Sequence, residues 1–247
     1  MFAFLARRRL KRKALDHART LLGTISPRPF PGDLYLAGGV FKSILTEGVE
    51  VRDVDIWVKN RAAREAAAEW LQVAGFALEK DFHPYCRVFR RQEQVIEITY
   101  ENLKEGGIHE VLESFDLGPC QIAARVSNGR ADDLYATPDF WESTSSRTIK
   151  VARGYWHGLK VGHSPKLLLT LHRLGNWGDS LGWQRDHGQI TAMWRMFIEE
   201  YSPAEARLAL ALAEEIIGGF KGEPDAPILE RARRELATRI ATKSSDL

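Results

Sequence analysis

The chain has 247 residues, of which 44% are hydrophobic and 28% are charged, and its formal net charge at pH 7 is +2. This composition predicts a soluble globular protein of one large or two modest domains, and so small a net charge does not by itself mark a nucleic-acid-binding protein. The two cysteines, Cys86 and Cys120, argue against a disulfide scaffold. The apolar run at the N-terminus is too short for a signal sequence or a membrane span, so we expect a cytoplasmic protein with no membrane partner.

The N-terminal segment combines helical periodicity with a dense positive charge. Regularly spaced leucines predict a helix over residues 1–23, and Ala6–Lys13 reads ARRRLKRK, with six basic residues in eight positions. Three prolines between Ser26 and Gly32 end that helix. A basic helix can bind RNA, DNA or an acidic partner, or it can be a solvated arm. We treat residues 1–30 as a basic arm and expect it to contact RNA.

Strand and helix patterns alternate from Asp33 to about residue 145. Asp33–Ala37 is a short apolar strand, Gly38-Gly39 turns the chain into a predicted helix over Val40–Thr46, and Val51–Val58 alternates like a strand. Further predicted elements are a helix over Arg61–Ala74, strands over Tyr85–Phe89 and Gln94–Tyr100, a helical or irregular connection over Leu103–Leu112, and an apolar segment, Asp116–Val126, that fits a strand or a buried helix. Residues 31–145 are therefore predicted to form a domain with a mixed sheet and flanking helices.

The last hundred residues have helical periodicity. The predicted helices are Lys166–Leu174, Ile190–Glu200, Pro203–Ile217 and Pro227–Ile240. We therefore predict an α+β protein with a helical C-terminal domain over residues 146–247.

Acidic residues stand where buried strands are expected. Asp53 and Asp55 are two apart on one strand, so their side chains leave the same face. Two carboxylates held so close call for a cation such as Mg²⁺. Glu97 is a third acid, set within the apolar strand QVIEITY, where a charge is costly unless it is paired or bound to a metal. A solvated turn and an edge strand would explain either motif alone, but they explain the combination poorly.

Thirteen residues separate Gly38-Gly39 from Asp53, and the two glycines supply a possible phosphate site. Backbone without Cβ atoms lets a phosphate approach closely, and the N-terminus of the following helix offers N–H groups. LAGGVFKSIL followed by VRDVDIWV resembles the signature of the polymerase-beta-type nucleotidyltransferase superfamily. The pattern is most similar to the head domains of poly(A) polymerases and CCA-adding enzymes.

The resemblance continues over residues 33–178. IEITYENL is similar to the second acidic strand of those heads, ESFDLGPCQIAA to a later segment, and SPKLLLTLHRLGNWG to the start of their neck helix. Two features depart from the family: Ser114-Phe115 stand where an arginine precedes the aspartate, and no Glu-Asp-x-x-Arg base-reading motif follows the head. Templated C-C-A addition is therefore not expected.

The resemblance implies a Mg²⁺-dependent nucleotidyltransferase that moves a nucleoside monophosphate from a nucleoside triphosphate, such as ATP, to an acceptor hydroxyl. We favour the 3′ end of an RNA, such as tRNA, as the acceptor. By resemblance, Asp53, Asp55 and Glu97 are the catalytic residues and hold two Mg²⁺ ions. The implied nucleotide-binding residues are Gly38, Gly39, Lys42, Ser43, Asp116, Gln121, Lys166 and Arg173.

Two alternatives stay open. The enzyme could modify a hydroxyl of a protein or a small molecule, as toxin-like and antibiotic-modifying members of the superfamily do. The fold could also be a catalytically silent binding or assembly module. The three acids speak against the silent module, because an inactive copy gains nothing from keeping carboxylates that repel each other.

Overall fold

The computed structural model of the chain describes residues 2–49, 51, 53–99, 107–220 and 222–245. These residues form two compact units, Met1–Ser145 and Ser146–Leu247. Residues 100–106 lie outside the described part, so the end of the predicted strand Gln94–Tyr100, the YENL end of the IEITYENL motif and the start of the predicted connection Leu103–Leu112 are not assessed.

The first unit is built on a mixed sheet. Its strands are β1 (Asp33–Ala37), β2 (Asp53–Trp57), β3 (Ala77–Phe82), β4 (Cys86–Arg91), β5 (Gln94–Thr99), β6 (Ile122–Ser127) and β7 (Arg130–Ala136). They form a seven-stranded sheet in the order β3-β4-β5-β2-β1-β6-β7. β2 and β5 run parallel, and the other neighbouring strands are antiparallel. The prediction of a mixed sheet with flanking helices is confirmed.

The helices of the first unit pack on this sheet. They are α1 (Phe2–Ile25), α2 (Lys42–Leu45), α3 (Arg61–Val73), α4 (Gly107–Glu113) and α5 (Pro138–Ser146). α3 begins where the Asn60 side chain accepts a hydrogen bond from the Ala63 N–H, and Gly75 at φ +87° follows its last turn. The Asn60 cap and Gly75 together explain why α3 matches its predicted bounds within one residue.

α1 is built into the first unit, although the sequence analysis set residues 1–30 apart as an arm. One side of the helix is buried in the core through Ala14, Ala18, Leu22 and Ile25. The small side chains of Ala14 and Ala18 let the helix lie close to the sheet. Of its basic residues, Arg8, Arg9 and Arg12 are exposed, whereas Lys11 pairs with Asp133 of β7 and Lys13 donates to the Ile44 carbonyl.

The central strands have two chemically different faces, because successive side chains of a strand point to opposite sides. The core face carries buried aliphatic side chains that pack with α1 and α3: Leu34, Leu36, Val54, Ile56, Ile96 and Ile98. We call the opposite side the carboxylate face. It carries Asp53, Asp55 and Glu97, and α4 covers its other end in a small cluster around Ala37, Trp57 and Leu112.

The second unit is helical, as predicted. It contains α6 (Arg153–Gly162), α7 (Leu167–Leu181), α8 (His187–Arg195), α9 (Pro203–Ala213) and α10 (Pro227–Ser245), with two short parallel strands, β8 (Thr148–Ile149) and β9 (Gln184–Arg185). Helical turns Met196–Glu200 and Glu214–Phe220 extend α8 and α9. α9 starts with a capping box between Ser202 and Glu205, with Pro203 in its first turn.

Candidate functional site

Strand β2 presents the two aspartates on one face. Asp53 is exposed and Asp55 is half-buried, while Val54 between them is buried on the core face. Two residues of a strand span about 6.6 Å, so both carboxylates project from the same side of the sheet at neighbouring positions. The apolar residues Val54 and Ile56 fix this orientation, because a slip of one residue would bury the aspartates.

Glu97 on β5 completes a row of acids. It is the direct parallel partner of Asp55, and Asp53 stands opposite Val95. Burial raises the pKa of the Glu97 carboxyl, the negative charge of Asp53 raises it further, and the Lys80 ammonium acts in the opposite direction. The sheet thus holds a half-buried acid against other negative charge, an arrangement that a bound cation would relieve.

Gly38 brings the backbone next to Asp55. Its φ is +74°, a conformation that glycine adopts freely and other residues rarely do. A Cβ atom built at Gly38 would lie 3.5 Å from Asp55 Oδ2 and 3.5 Å from Phe115 Cε2. The turn after β1 therefore passes directly beside the carboxylate of Asp55.

The helix predicted over Val40–Thr46 is shorter and tighter than expected. Gly38–Phe41 form a 3₁₀ turn, and α2 contributes only Lys42–Leu45. So short a segment has little helix dipole, and any phosphate bound here depends on the glycine backbone itself. The structure places Gly39 and Lys42 in this stretch, both half-buried.

Two side chains of α1 bind the backbone of the segment Val40–Ile44. His17 Nε2 lies 2.9 Å from the Val40 carbonyl oxygen, where it can donate a hydrogen bond, and Lys13 donates to the Ile44 carbonyl at 3.1 Å. Burial lowers the pKa of His17. Ser43, predicted to contact phosphate, has its Oγ 3.5 Å from His17 Nε2. Its side chain is thus directed to α1, and its contact with a nucleotide stays a prediction.

Asp116 and Gln121 are buried close to the same turn. The Gln121 amide donates to the Phe115 carbonyl at 3.0 Å, and its oxygen accepts from the Thr137 hydroxyl. These bonds tie the segment before β6 to the start of α5. Gln121 therefore has a structural role that the sequence did not reveal, and the nucleotide contacts of both residues stay predictions.

Lys166 and Arg173 belong to the second unit. Lys166 precedes the first residue of α7, and both side chains are exposed. Seven residues are about two helical turns, so the two cations share one side of α7. The other side of the helix is buried through Leu167, Leu171 and Leu174.

The carboxylate face fits Mg²⁺ by its donor chemistry. Magnesium prefers oxygen ligands and is commonly held by one or two carboxylates together with waters and substrate phosphates. In the part of the chain that the structure describes, no three Asp, Glu, His or Cys side chains stand close enough to form a ready-made metal cage. Asp53, Asp55 and Glu97 thus offer oxygens of the kind that Mg²⁺ prefers, although these three described residues do not form a metal site by themselves.

Sequence reasoning missed the residues of β3 that share this face. Lys80 pairs with Val88, Val88 pairs with Glu97, and directly paired residues share a face. In the next row, Phe82 pairs with Cys86, and Cys86 pairs with Thr99 beside Trp57. The sequence ALEKDF gives little sign of a strand, because its charged residues interrupt the alternation of apolar and polar side chains.

Cys86 lies between Phe82 and Thr99, in the row next to the one that holds Asp55 and Glu97. Burial and the charges of Glu97 and Asp55 raise the pKa of its thiol to about 11, so it is neutral at pH 7. Cys120 is buried, and both cysteines are free.

Among the described helices, none is both long enough and apolar enough to cross a lipid bilayer. The longest, α1, has 24 residues and carries the basic cluster.

No protein-family model and no curated protein sequence matches the chain. Solved structures do match it. A tRNA-processing enzyme in an apo form is 18% identical with a TM-score of 0.56, over 84% of this chain and 57% of that one. A CCA-adding enzyme in complex with ATP is 16% identical with a TM-score of 0.56, over 95% and 53%. A tRNA nucleotidyltransferase complexed with a primer tRNA and an incoming ATP analogue is 18% identical with a TM-score of 0.51, over 80% and 58%.

The chain thus spans little more than half the length of these structures. At such identities the similarity establishes the fold. The chain has the fold of these CCA-adding and tRNA-processing enzymes, which confirms the resemblance seen in the sequence at the level of architecture.

Proposed function

We propose that the protein is a Mg²⁺-dependent nucleotidyltransferase, which transfers a nucleoside monophosphate from a nucleoside triphosphate to an acceptor hydroxyl. The observation that carries this proposal is the arrangement of Gly38, Asp55 and Glu97. Asp55 faces Glu97 across β2 and β5, and the backbone of Gly38 passes beside the Asp55 carboxylate without a Cβ atom between them. A glycine backbone that a phosphate can approach closely and a cation-binding set of oxygens thus adjoin each other.

Each group has a distinct role in this proposal. Gly38 and Gly39 leave room for the triphosphate, whose leaving pyrophosphate lies on the β1 side of the acids. Asp53 and Asp55, supported by Glu97, would hold two Mg²⁺ ions, which when bound activate the acceptor hydroxyl and neutralise the pyrophosphate. Lys42 and Ser43 are proposed as further contacts of the triphosphate, and Lys166 and Arg173 as phosphate contacts of the second unit.

We favour the 3′ end of an RNA, such as tRNA, as the acceptor. The fold supports this choice, since one of the matching structures holds a primer tRNA together with an ATP analogue. The exposed arginines Arg8, Arg9 and Arg12 are proposed to bind RNA phosphates. Because α1 packs on the core face, RNA held there would contact a different side of the unit from the acids.

The proposal is tested by transfer of a labelled nucleotide. The purified protein is incubated with Mg²⁺ and each of the four α-labelled nucleoside triphosphates, with total tRNA, synthetic RNA or the polypeptide itself as acceptor. We expect label in the RNA, and we expect Asp53→Asn and Asp55→Asn to abolish it. RNA labelling by Arg8→Gln/Arg12→Gln should fall and should depend less steeply on salt concentration between about 50 and 200 mM.

The outcomes separate the alternatives. Label on the polypeptide, or on a small-molecule alcohol added in place of RNA, would keep nucleotidyl transfer and replace the RNA acceptor. Absence of label under every condition, or equal labelling by the Asp55→Asn variant, would contradict the proposal and favour a silent binding module.

A further inference from the structure

The hairpin of β3 and β4 lies at the edge of the sheet next to the carboxylates. Every residue of β3 is exposed, and the two aromatic side chains at its end, Phe82 and Tyr85, are 46% and 65% exposed. The Tyr85 N–H donates to the Phe82 carbonyl at 2.7 Å, so both aromatic residues belong to one tight turn at the end of β3. The cation Lys80 stands two residues before Phe82, and a second cation, Arg90 of β4, is bonded to Glu79.

The register places this hairpin on the same face as the acids. From Asp55 the row of direct partners continues through Glu97 and Val88 to Lys80. The next row runs from Trp57 through Thr99 and Cys86 to Phe82. Neighbouring strands are about 4.8 Å apart, so Lys80 starts about 10 Å from Glu97, and its long side chain leaves the same face of the sheet. The Lys80 ammonium indeed lowers the pKa of Glu97 against the effect of burial.

The other side of β3 is different. Asp81 is bonded to Arg87, which also bonds Glu65 of α3 on the core face. Leu78 pairs with the core residue Phe89 and is 46% exposed, the same fraction as Phe82. Leu78 and Phe82 are thus equally accessible apolar residues of one strand that face opposite sides of the sheet.

The chemistry of transfer assigns the two sides of the acids. In an in-line displacement, the attacking hydroxyl and the leaving pyrophosphate lie on opposite sides of the phosphorus atom that is transferred. The triphosphate is proposed to bind at the turn Gly38–Phe41, which we call the glycine turn. This turn follows β1, on one side of β2 and β5. The acceptor must then approach from the other side, and the strands there are β4 and β3.

We propose that the β3–β4 hairpin is the acceptor-binding platform, on which the terminal bases of a single-stranded RNA 3′ end stack against Phe82 and Tyr85 while Lys80 contacts the backbone phosphate. This inference rests on the proposed function, and it selects single-stranded nucleic acid over a small molecule as the acceptor. Base stacking on aromatic rings tolerates any sequence and adds no charge near the acids. The platform therefore places an acceptor without specifying its bases.

The test measures RNA binding without catalysis. A fluorescein-labelled single-stranded RNA of about ten nucleotides, long enough to cover one stacking site, is titrated with the full chain in Mg²⁺ and without nucleotide, and its anisotropy gives Kd. We expect Phe82→Ser to raise Kd about tenfold, and Lys80→Gln to raise it less and to reduce its dependence on salt. Leu78→Ser is the matched apolar control, and Arg130→Gln, an exposed cation of β7 at the far edge, is the control for charge. Both should bind as the wild type does.

Steady-state kinetics distinguish a failure of the proposed platform from a failure of the proposed function. In the transfer assay, Phe82→Ser should raise KM for RNA about tenfold and leave KM for the nucleoside triphosphate unchanged. Transfer to RNA with an unaltered KM in Phe82→Ser would overturn the platform and leave the function intact. Absence of transfer together with RNA binding that depends on Phe82 would overturn the function and leave the platform intact.

Two further results would also overturn the platform. One is an equal loss of RNA binding in Leu78→Ser, which would indicate a general effect on β3. The other is a concentration-dependent dimer of the wild type that Phe82→Ser dissociates, because the hairpin would then be a protein interface. Far-ultraviolet circular dichroism of each variant checks that the exposed substitutions leave the fold unchanged.

Discussion

Strand β2 shows how differently the two faces of the sheet are used. On the core face Val54 and Ile56 are 1% and 0% exposed, and they belong to one core cluster with residues of α1 and α3. On the carboxylate face the intervening residues Asp53 and Asp55 remain accessible and face Glu97 and the glycine turn. The core face stabilises the fold, and the carboxylate face carries a charge arrangement that weakens it. Substitutions on the carboxylate face should therefore reduce activity and change stability little, whereas substitutions on the core face should reduce stability and leave activity unchanged.

The largest expected effect is on the carboxylate face. Asp55→Ala removes the carboxylate that lies beside Gly38, so we expect nucleotidyl transfer to fall by at least about 10³-fold. The free energy of unfolding, measured by urea titration, should change little because Asp55 is half-buried among other acids. Retention of more than a tenth of the activity would contradict the assignment of Asp55.

The core face should show the reverse. Ile96 is fully buried and pairs with Val54 and Phe89, so Ile96→Ala leaves a cavity and should cost about 2–5 kcal/mol of stability. At a temperature where the variant is folded, its transfer rate per folded molecule should match that of the wild type. A variant that keeps its stability and loses activity would show that the two faces are not separate in function.

Gly38 combines a positive φ with a position beside Asp55, and Gly48, which has only the positive φ, is its matched control. Both glycines have positive φ, +74° and +81°, but a Cβ at Gly38 would meet Asp55 and Phe115, whereas one at Gly48 would meet nothing within 4 Å. Alanine at either position should cost about 1 kcal/mol through backbone strain. Only Gly38→Ala should also reduce transfer, by about 10²-fold, because it displaces the phosphate from Asp55. Equal activities of the two variants would exclude a special role for Gly38.

The smallest expected effect is a gain in stability. Because burial and Asp53 raise the pKa of Glu97, the folded state binds its proton more tightly than the unfolded state, and the ionised carboxylate destabilises the fold at neutral pH. Glu97→Gln should therefore raise the free energy of unfolding by about 0.5–2 kcal/mol at pH 8. The gain should diminish as pH falls through the raised pKa and vanish below the unfolded value of about 4.3. Urea titrations at pH 8 and pH 4 measure it, with the exposed Glu93→Gln as control.

Magnesium offers a check on the same residue. A cation that binds the folded carboxylates stabilises the wild type in proportion to its occupancy. Glu97→Gln should lose part of that stabilisation although it is the more stable protein in the absence of Mg²⁺. A stabilisation by Mg²⁺ that is identical in the two proteins would separate Glu97 from the metal site.

The sequence predicted the centre of the sheet better than its edges. β1 matches its predicted bounds, and β2 and β5 lie inside theirs, because buried strands show uninterrupted apolar periodicity. β3 and β7 were missed, and these are the two edge strands. An edge strand is solvated along one side and carries charges that discourage pairing with other chains, so ALEKDF and RADDLYA lack the apolar signal.

The sequence likewise predicted the site residues on the central strands and missed those on the edge strand. The acids and glycines stand on central elements, and their spacing indicated the face that the structure shows. Phe82 and Lys80 stand on an edge strand that was not predicted, so their proximity to Glu97 depended on the register of β3, β4 and β5. The position of α1 was hidden as well, since its contact with the sheet depends on small residues, Ala14 and Ala18, that carry little periodic signal.

The central claim, that the carboxylate face transfers nucleotides, is tested most directly by the mass of the product. A synthetic RNA with a free 3′ hydroxyl and the same RNA with a 3′-deoxy end are incubated with the protein, Mg²⁺ and each nucleoside triphosphate in turn. We predict that mass spectrometry detects addition of nucleoside monophosphate to the first RNA only, with release of pyrophosphate. No added mass with any of the four nucleotides, or an equal addition by the Asp53→Asn/Asp55→Asn double variant, would contradict the account.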